Sequence, residues 1–144
     1  LYRSAADMQA LAAEGATVRL CKGAYLEAPT VAFPEKADVD KSYVQIMTAY
    51  LEAPPPAVLQ MATHDERIIV QGEALVAQHN LAPDRYEFQM LYGIATNLQK
   101  DLVARGYTVL IATPHGPQWY FYLMRRLAER PANLWFFVKN FFGR

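Results

Sequence analysis

The sequence has little of what usually fixes a small chain's class. There is one cysteine, Cys21, so an internal disulfide framework is impossible and a reducing compartment fits. The three histidines, His64, His79 and His115, are scattered and form no cluster with metal-ligand spacing, so no zinc site is expected. Net charge is absent too. Fourteen basic and fourteen acidic residues cancel, and no basic run interleaved with aromatics points to nucleic acid. No uninterrupted apolar run approaches the length that spans a bilayer. The chain opens Leu1-Tyr2-Arg3, without an initiator methionine or a basic-then-apolar leader, and reads as a sequence entered midway. No repeat of 20–50 residues is visible, which disfavours a solenoid.

What is present is apolar material, 53% of 144 residues, enough for a real core. Helical and strand-like segments alternate along one continuous segment, residues 1–144. Ala5 to Glu14 reads as a helix stopped by Gly15, and Thr17 to Lys22 as a strand ending at Gly23. A polar connection with Pro29 and Pro34 leads to a helix near Lys41 to Glu52. Pro54-Pro55-Pro56 precedes a strand, Ala57 to Thr63, and Asp65 caps a helix to about Gln78 with Gly72 as its weak spot. Arg85 to Leu91 and Tyr107 to Ala112 read as further strands around a helix from Ile94 to Arg105. Gly116-Pro117 opens a last helix that Pro131 stops. Four strand–helix units imply a parallel sheet. An open doubly wound sheet and part of a (β/α)8 barrel both fit; a full barrel needs about 250 residues, so this chain would supply about half of one.

In either architecture ligands bind where parallel strands finish. Those ends read Arg19/Lys22-Gly23-Ala24-Tyr25, Thr63-His64-Asp65, Glu87/Gln89 and Pro114-His115-Gly116. Arg19 has the parity of Cys21, opposite to Val18 and Leu20. If both faces of the sheet are covered, Arg19 is buried and needs a partner, and Gln89 poses the same question. Plainer readings exist for each. Lys22-Gly23 suits a solvated strand end, Thr63-His64-Asp65 a helix cap, and His115 a solvated turn; Met61 and Met90 suit core filling.

The last helix carries Tyr122, Arg125, Arg126 and Glu129. Arg125 lies one turn from both Tyr122 and Glu129, and Arg126 three residues before Glu129, so the four share one surface. Two guanidiniums suit a carboxylate, each charge-assisted hydrogen bond being worth about 1.5–3 kcal/mol. With a phenol and a carboxylate alongside, the pattern fits an amino acid held at both ends. The alternative is an ordinary surface ion pair between Arg125 and Glu129, which contributes little.

Four motifs in order, Arg19-Leu20-Cys21-Lys22-Gly23-Ala24-Tyr25, Ala62-Thr63-His64-Asp65, Glu87-Phe88-Gln89-Met90-Leu91-Tyr92-Gly93 and Tyr122-Leu123-Met124-Arg125-Arg126-Leu127-Ala128-Glu129-Arg130-Pro131, resemble the proline dehydrogenase family, most closely its stand-alone bacterial enzymes. The resemblance implies an α/β fold, the C-terminal half of a distorted (βα)8 barrel of parallel strands, about strands 5 to 8, holding FAD at the strand ends. It implies oxidation of L-proline to 1-pyrroline-5-carboxylate by hydride transfer to FAD, with a quinone as electron acceptor, in the cytoplasm or at the inner face of the cell membrane. It assigns Arg19 a catalytic place near the reactive nitrogen of the flavin. Lys22, Gly23 and Ala24 would contact the cofactor, Thr63 and His64 its adenosine or diphosphate side, and Gln89 the ring edge. Tyr25, Leu91 and Tyr122 would wall the substrate pocket, Arg125 and Arg126 would clamp the carboxylate, and Glu129 would support that surface.

Three departures qualify the resemblance. The first half of the barrel, with a lysine and an aspartate that complete the site, lies outside the sequence, so the piece alone is expected to bind FAD weakly or not at all. Ala112 stands where the last strand usually carries a tyrosine facing the substrate ring, which opens the pocket to a ring-hydroxylated proline. His115 replaces a more usual aromatic or apolar residue. Two alternatives remain: an aldolase-like barrel using Lys22 as a Schiff base, and an incomplete product without activity. The aromatic tail, Leu134 to Phe142, fits packing against the barrel or a sister subunit, or contact with a membrane surface.

Overall fold

The computed structural model describes residues 1–23, 27–121 and 124. Within them four helices alternate with four strands: α1 (Ser4–Ala13), β1 (Thr17–Cys21), α2 (Lys36–Leu51), β2 (Val58–Ala62), α3 (Glu66–Gln78), β3 (Tyr86–Leu91), α4 (Thr96–Ala104) and β4 (Val109–Ala112). The strands form one sheet in the order β1-β2-β3-β4, every neighbouring pair parallel.

That order decides between the two architectures the sequence leaves open. A doubly wound sheet reverses its strand order partway, which sends helices to both faces. Here every connection steps to the next strand, and crossovers of one hand then lay every helix on the same face. The burial pattern agrees. Leu20, Leu59, Met61, Tyr86, Phe88 and Met90 share one face and join a single cluster with Met8, Tyr43, Met47, Tyr50, Ile69, Val76 and Leu102 from the four helices. The chain therefore forms an arc of singly wound βα units, the arrangement of part of a (βα)8 barrel.

One expectation needs correcting. Arg19 is exposed, together with Thr17 and Cys21 in β1, because no helix among the described residues covers the second face of the sheet. In register across that face run Arg19, Gln60 and Glu87, and beyond them Cys21, Ala62, Gln89 and Leu110. Only Gln89 is buried there, and its amide nitrogen donates to Glu87 Oε1 at 2.5 Å. Parallel sheets buried on both faces are near-continuously apolar; β1 to β3 alternate instead, and among the described residues only one face of the sheet packs.

The mid-helix glycine has a packing reason. A Cβ at Gly72 would stand 3.0 Å from Met61 Sδ and 3.5 Å from both Met47 Sδ and Phe88 Cε1. Gly72 is thus where α3 seats closely on β2, and the loss of about 1 kcal/mol in helix propensity buys that approach. Further along, Arg105 pairs with the largely buried Glu73 at 2.5 Å and with Asp101 at 2.7 Å, tying the end of α4 to α3. Arg85 donates to the backbone oxygens of Ala57 (2.7 Å) and Ala53 (2.5 Å), which fixes the proline-rich link before β2. Among the described residues no helix is long and apolar enough to cross a membrane.

Candidate active site

The carboxyl ends of the four strands lie side by side, so the residues that follow them form one rim. At the tip of β2, Thr63 is buried and its hydroxyl accepts the Asp65 N–H at 3.1 Å. Asp65 has the extended backbone of an N-cap, and its carboxylate accepts the Arg67 N–H at 3.2 Å. The motif is therefore a helix cap, as its plainer reading holds, and it also fixes the neighbouring histidine. His64 Nε2 accepts the Leu91 N–H at 2.9 Å, joining the tips of β2 and β3. Burial pushes the His64 pKa below its ordinary 6.5, favouring the neutral ring that this bond requires.

A pH effect follows, with a definite sign. In the unfolded chain His64 takes up a proton near 6.5, whereas the folded form resists it to lower pH. The unfolded state then binds more protons, so stability falls as pH drops below 6.5 until the folded ring also protonates. Urea unfolding followed from about pH 7.5 to about pH 5.5 should show a falling midpoint, and His64→Gln should flatten that slope. Parallel slopes for the two proteins would exclude His64 as the source.

On the helix side of the rim sits a mixed-charge cluster. Lys22 Nζ lies 2.7 Å from Asp65 Oδ2 and 2.6 Å from Asp40 Oδ1, the latter on α2. Lys36 pairs with Asp40 one turn along the same helix and lies 3.7 Å from Asp65. Arg67 completes it at 3.5 Å from Asp65 and 3.9 Å from Asp40. Burial alone would raise the Asp65 carboxyl, but the hydrogen bond and charge of Lys22, with Arg67, hold it down at about 2. Asp40 is lowered for the same balance of reasons, with Lys22 and Lys36 as its cations. Asp40 and Lys36 escape the sequence reading because it starts α2 at Lys41; Arg67 lies in a helix it does place, and joins the cluster through contacts with Asp65 and with Asp40 on another helix. The i,i+4 spacing of Lys36 and Asp40 was the available signal.

At the other end of the rim, Leu91 and Ala112 are register partners on β3 and β4. With Thr113, Pro114, His115, Gln118 and Trp119 they line a cleft of about 350 Å³. His115 thus borders a cavity, and Gln118 and Trp119 are lining residues that the sequence reading did not single out. Between the two ends lies the open face with Arg19 and Gln89, two strands apart and offset by two residues along the strand, roughly 12 Å between Cα atoms at the usual strand geometry. Gly23 follows β1 with φ of +92° and, among the described residues, nothing within 4 Å of where a Cβ would stand. Those residues leave its backbone open to close approach by a ligand.

The structure thus brings Arg19, Lys22, Gly23, Thr63, His64, Gln89 and Leu91 to one rim and its adjoining open face. Ala24, Tyr25, Tyr122, Arg125, Arg126 and Glu129 lie outside the described residues.

The sequence matches the family model described as proline dehydrogenase over residues 3–139. It is 47% identical over 140 residues to a proline dehydrogenase of Deinococcus radiodurans, covering 97% of this chain and 44% of that protein. Proline dehydrogenase 2 of Bacillus subtilis is 44% identical over the same length, with 97% and 46% covered. The chain spans less than half the length of these curated relatives. A solved structure of proline utilization A from Bdellovibrio bacteriovorus, inactivated by N-propargylglycine, superposes with a TM-score of 0.76 at 27% identity, covering 88% of this chain and 15% of that one.

Proposed function

The chain belongs to the proline dehydrogenase family, and from that premise we propose that it supplies the strand ends of a flavin-dependent site oxidising L-proline to 1-pyrroline-5-carboxylate, with a quinone as final acceptor. The observation that carries this reading is the open sheet face bearing Arg19 and Gln89, which leads into the cleft at Leu91 and Ala112. The residues fit FAD by their chemistry. Gly23 offers bare backbone, Lys22 a cation at the rim, Arg19 a cation on the face and Gln89 an amide.

FAD supplies the hydride acceptor when bound. Arg19 would supply a positive charge to it and so favour its electron-rich form. Arg125 and Arg126 would grip the substrate carboxylate, while Leu91 and Tyr122 would wall the ring. Fixing the reacting carbon in contact with the acceptor in this way is worth several kcal/mol, about the scale of a modest proximity effect. The Schiff-base reading has less support. A nucleophilic lysine works best desolvated and unpaired, whereas Lys22 is held between two carboxylates.

Anaerobic addition of L-proline to the purified protein, as encoded, tests the proposal. The yellow absorbance of its flavin should bleach and an imine product should appear. Unchanged flavin absorbance at saturating proline would overturn it.

A further inference from the structure

Lys22 is a long, flexible side chain, yet its ammonium is fixed by two carboxylates from two different helices. We propose that Asp40 is a positioning residue, holding the Lys22 ammonium at the strand tip where it meets the flavin dinucleotide. The inference rests on the reading of Lys22 as a cofactor contact.

Three observations carry it. First, the parity of Lys22 follows Leu20, so its side chain leaves the open face and runs toward the helices, where Asp40 Oδ1 and Asp65 Oδ2 meet it at 2.6 and 2.7 Å. Second, both carboxylates and Lys22 are about one-fifth exposed, so the pairing is only partly screened by water. Third, the two acids have different duties. Asp65 also caps α3, whereas Asp40 lies within α2, where a carboxylate serves no cap. The Asp40 Oδ1 contact is a close ion pair with the Lys22 ammonium. Lys36 pairs with the other oxygen of Asp40 and keeps that carboxylate facing the cluster.

A free lysine must give up rotamer freedom when a ligand fixes it, at about 0.5–1.5 kcal/mol per side chain. A lysine already held gives up less. Removing the Asp40 charge should therefore weaken FAD binding about three- to tenfold, through Lys22 alone.

The test is a double-mutant cycle on the protein as encoded, with FAD titrated and its fluorescence followed. Thermal unfolding without FAD is measured on every variant. Lys22→Met should weaken binding. Asp40→Asn should weaken it beside Lys22 but have no further effect beside Met, and Asp40→Glu, which keeps the charge, should retain most of the affinity. An equal loss from Asp40→Asn in both backgrounds would make Asp40 merely structural and overturn the proposal. So would wild-type affinity in Asp40→Asn, or a loss in Asp40→Glu as large as in Asp40→Asn. A Lys22→Met protein that binds FAD normally would instead remove the cofactor role of Lys22, and the proposal with it. If Asp40→Asn fails to fold, Asp40→Glu decides: near-native affinity supports the charge role, and weakened affinity at unchanged melting temperature overturns it.

Discussion

Replacing Arg125 and Arg126 together by methionine is expected to lower kcat/KM for L-proline about 10²- to 10⁴-fold, and each single replacement about ten- to a hundredfold. The magnitude follows from charge-assisted hydrogen bonds worth about 1.5–3 kcal/mol per partner. Methionine keeps much of the length and helix propensity of arginine, so the change removes the fork and its charge with little change in local backbone propensity. Lysine should rescue poorly. It presents a point charge where a planar carboxylate is gripped by paired donors. The division between parameters is also diagnostic. If the pair only binds, KM rises and kcat stays; if it also aims the reacting carbon, kcat falls as well. Both changes are expected. Steady-state kinetics with retained flavin absorbance as the control would measure this. A double variant within about threefold of the parent kcat/KM would show that the carboxylate is held elsewhere.

The fold was legible because each strand carries a short apolar pattern bounded by turn residues. The cap at Asp65, the left-handed glycine after β1 and the stop before β2 stand where the residues imply. Boundaries moved where polar residues turned out helical. Lys36-Ala37-Asp38-Val39-Asp40 reads as loop, yet it is the first turn and more of α2, supported by the Lys36–Asp40 pair. Ile94 reads as the start of α4, but Ala95 has φ of +51°, so the helix begins at Thr96 while Ile94 stays buried in the preceding turn. Arg19 shows the deeper limit. Its parity was visible, but whether its face is covered depends on where all the crossovers go, and one strand cannot reveal that. Strand ends are local and so could be read, Asp65 among them; that Lys22 meets both Asp65 and Asp40 of α2 is a contact between distant segments, which local pattern does not carry.

Substituting tyrosine for Ala112 is expected to lower the preference for ring-hydroxylated proline over proline, measured as a ratio of kcat/KM values, by about tenfold or more. The Cα of Ala112 pairs with that of Leu91, a proposed wall of the substrate pocket, and both border the cleft of about 350 Å³. A methyl group there leaves room that a phenol would fill, and polar lining matters as much as room. Thr113, His115 and Gln118 surround the same space, so a substrate hydroxyl entering it can exchange water for protein partners. In an apolar pocket that hydroxyl would lose its hydrogen bonds at about 1–3 kcal/mol. Discrimination by one small group in a pocket falls in the same range, about ten- to two-hundredfold. The tyrosine form should therefore gain on proline, whose bare ring packs against an aromatic wall, and lose on the hydroxylated ring, which it excludes. Kinetics of both substrates with both forms provide the measurement. Equal ratios would mean that the cleft lies beyond the substrate's reach, and the absent phenol would then have no bearing on which imino acid is oxidised.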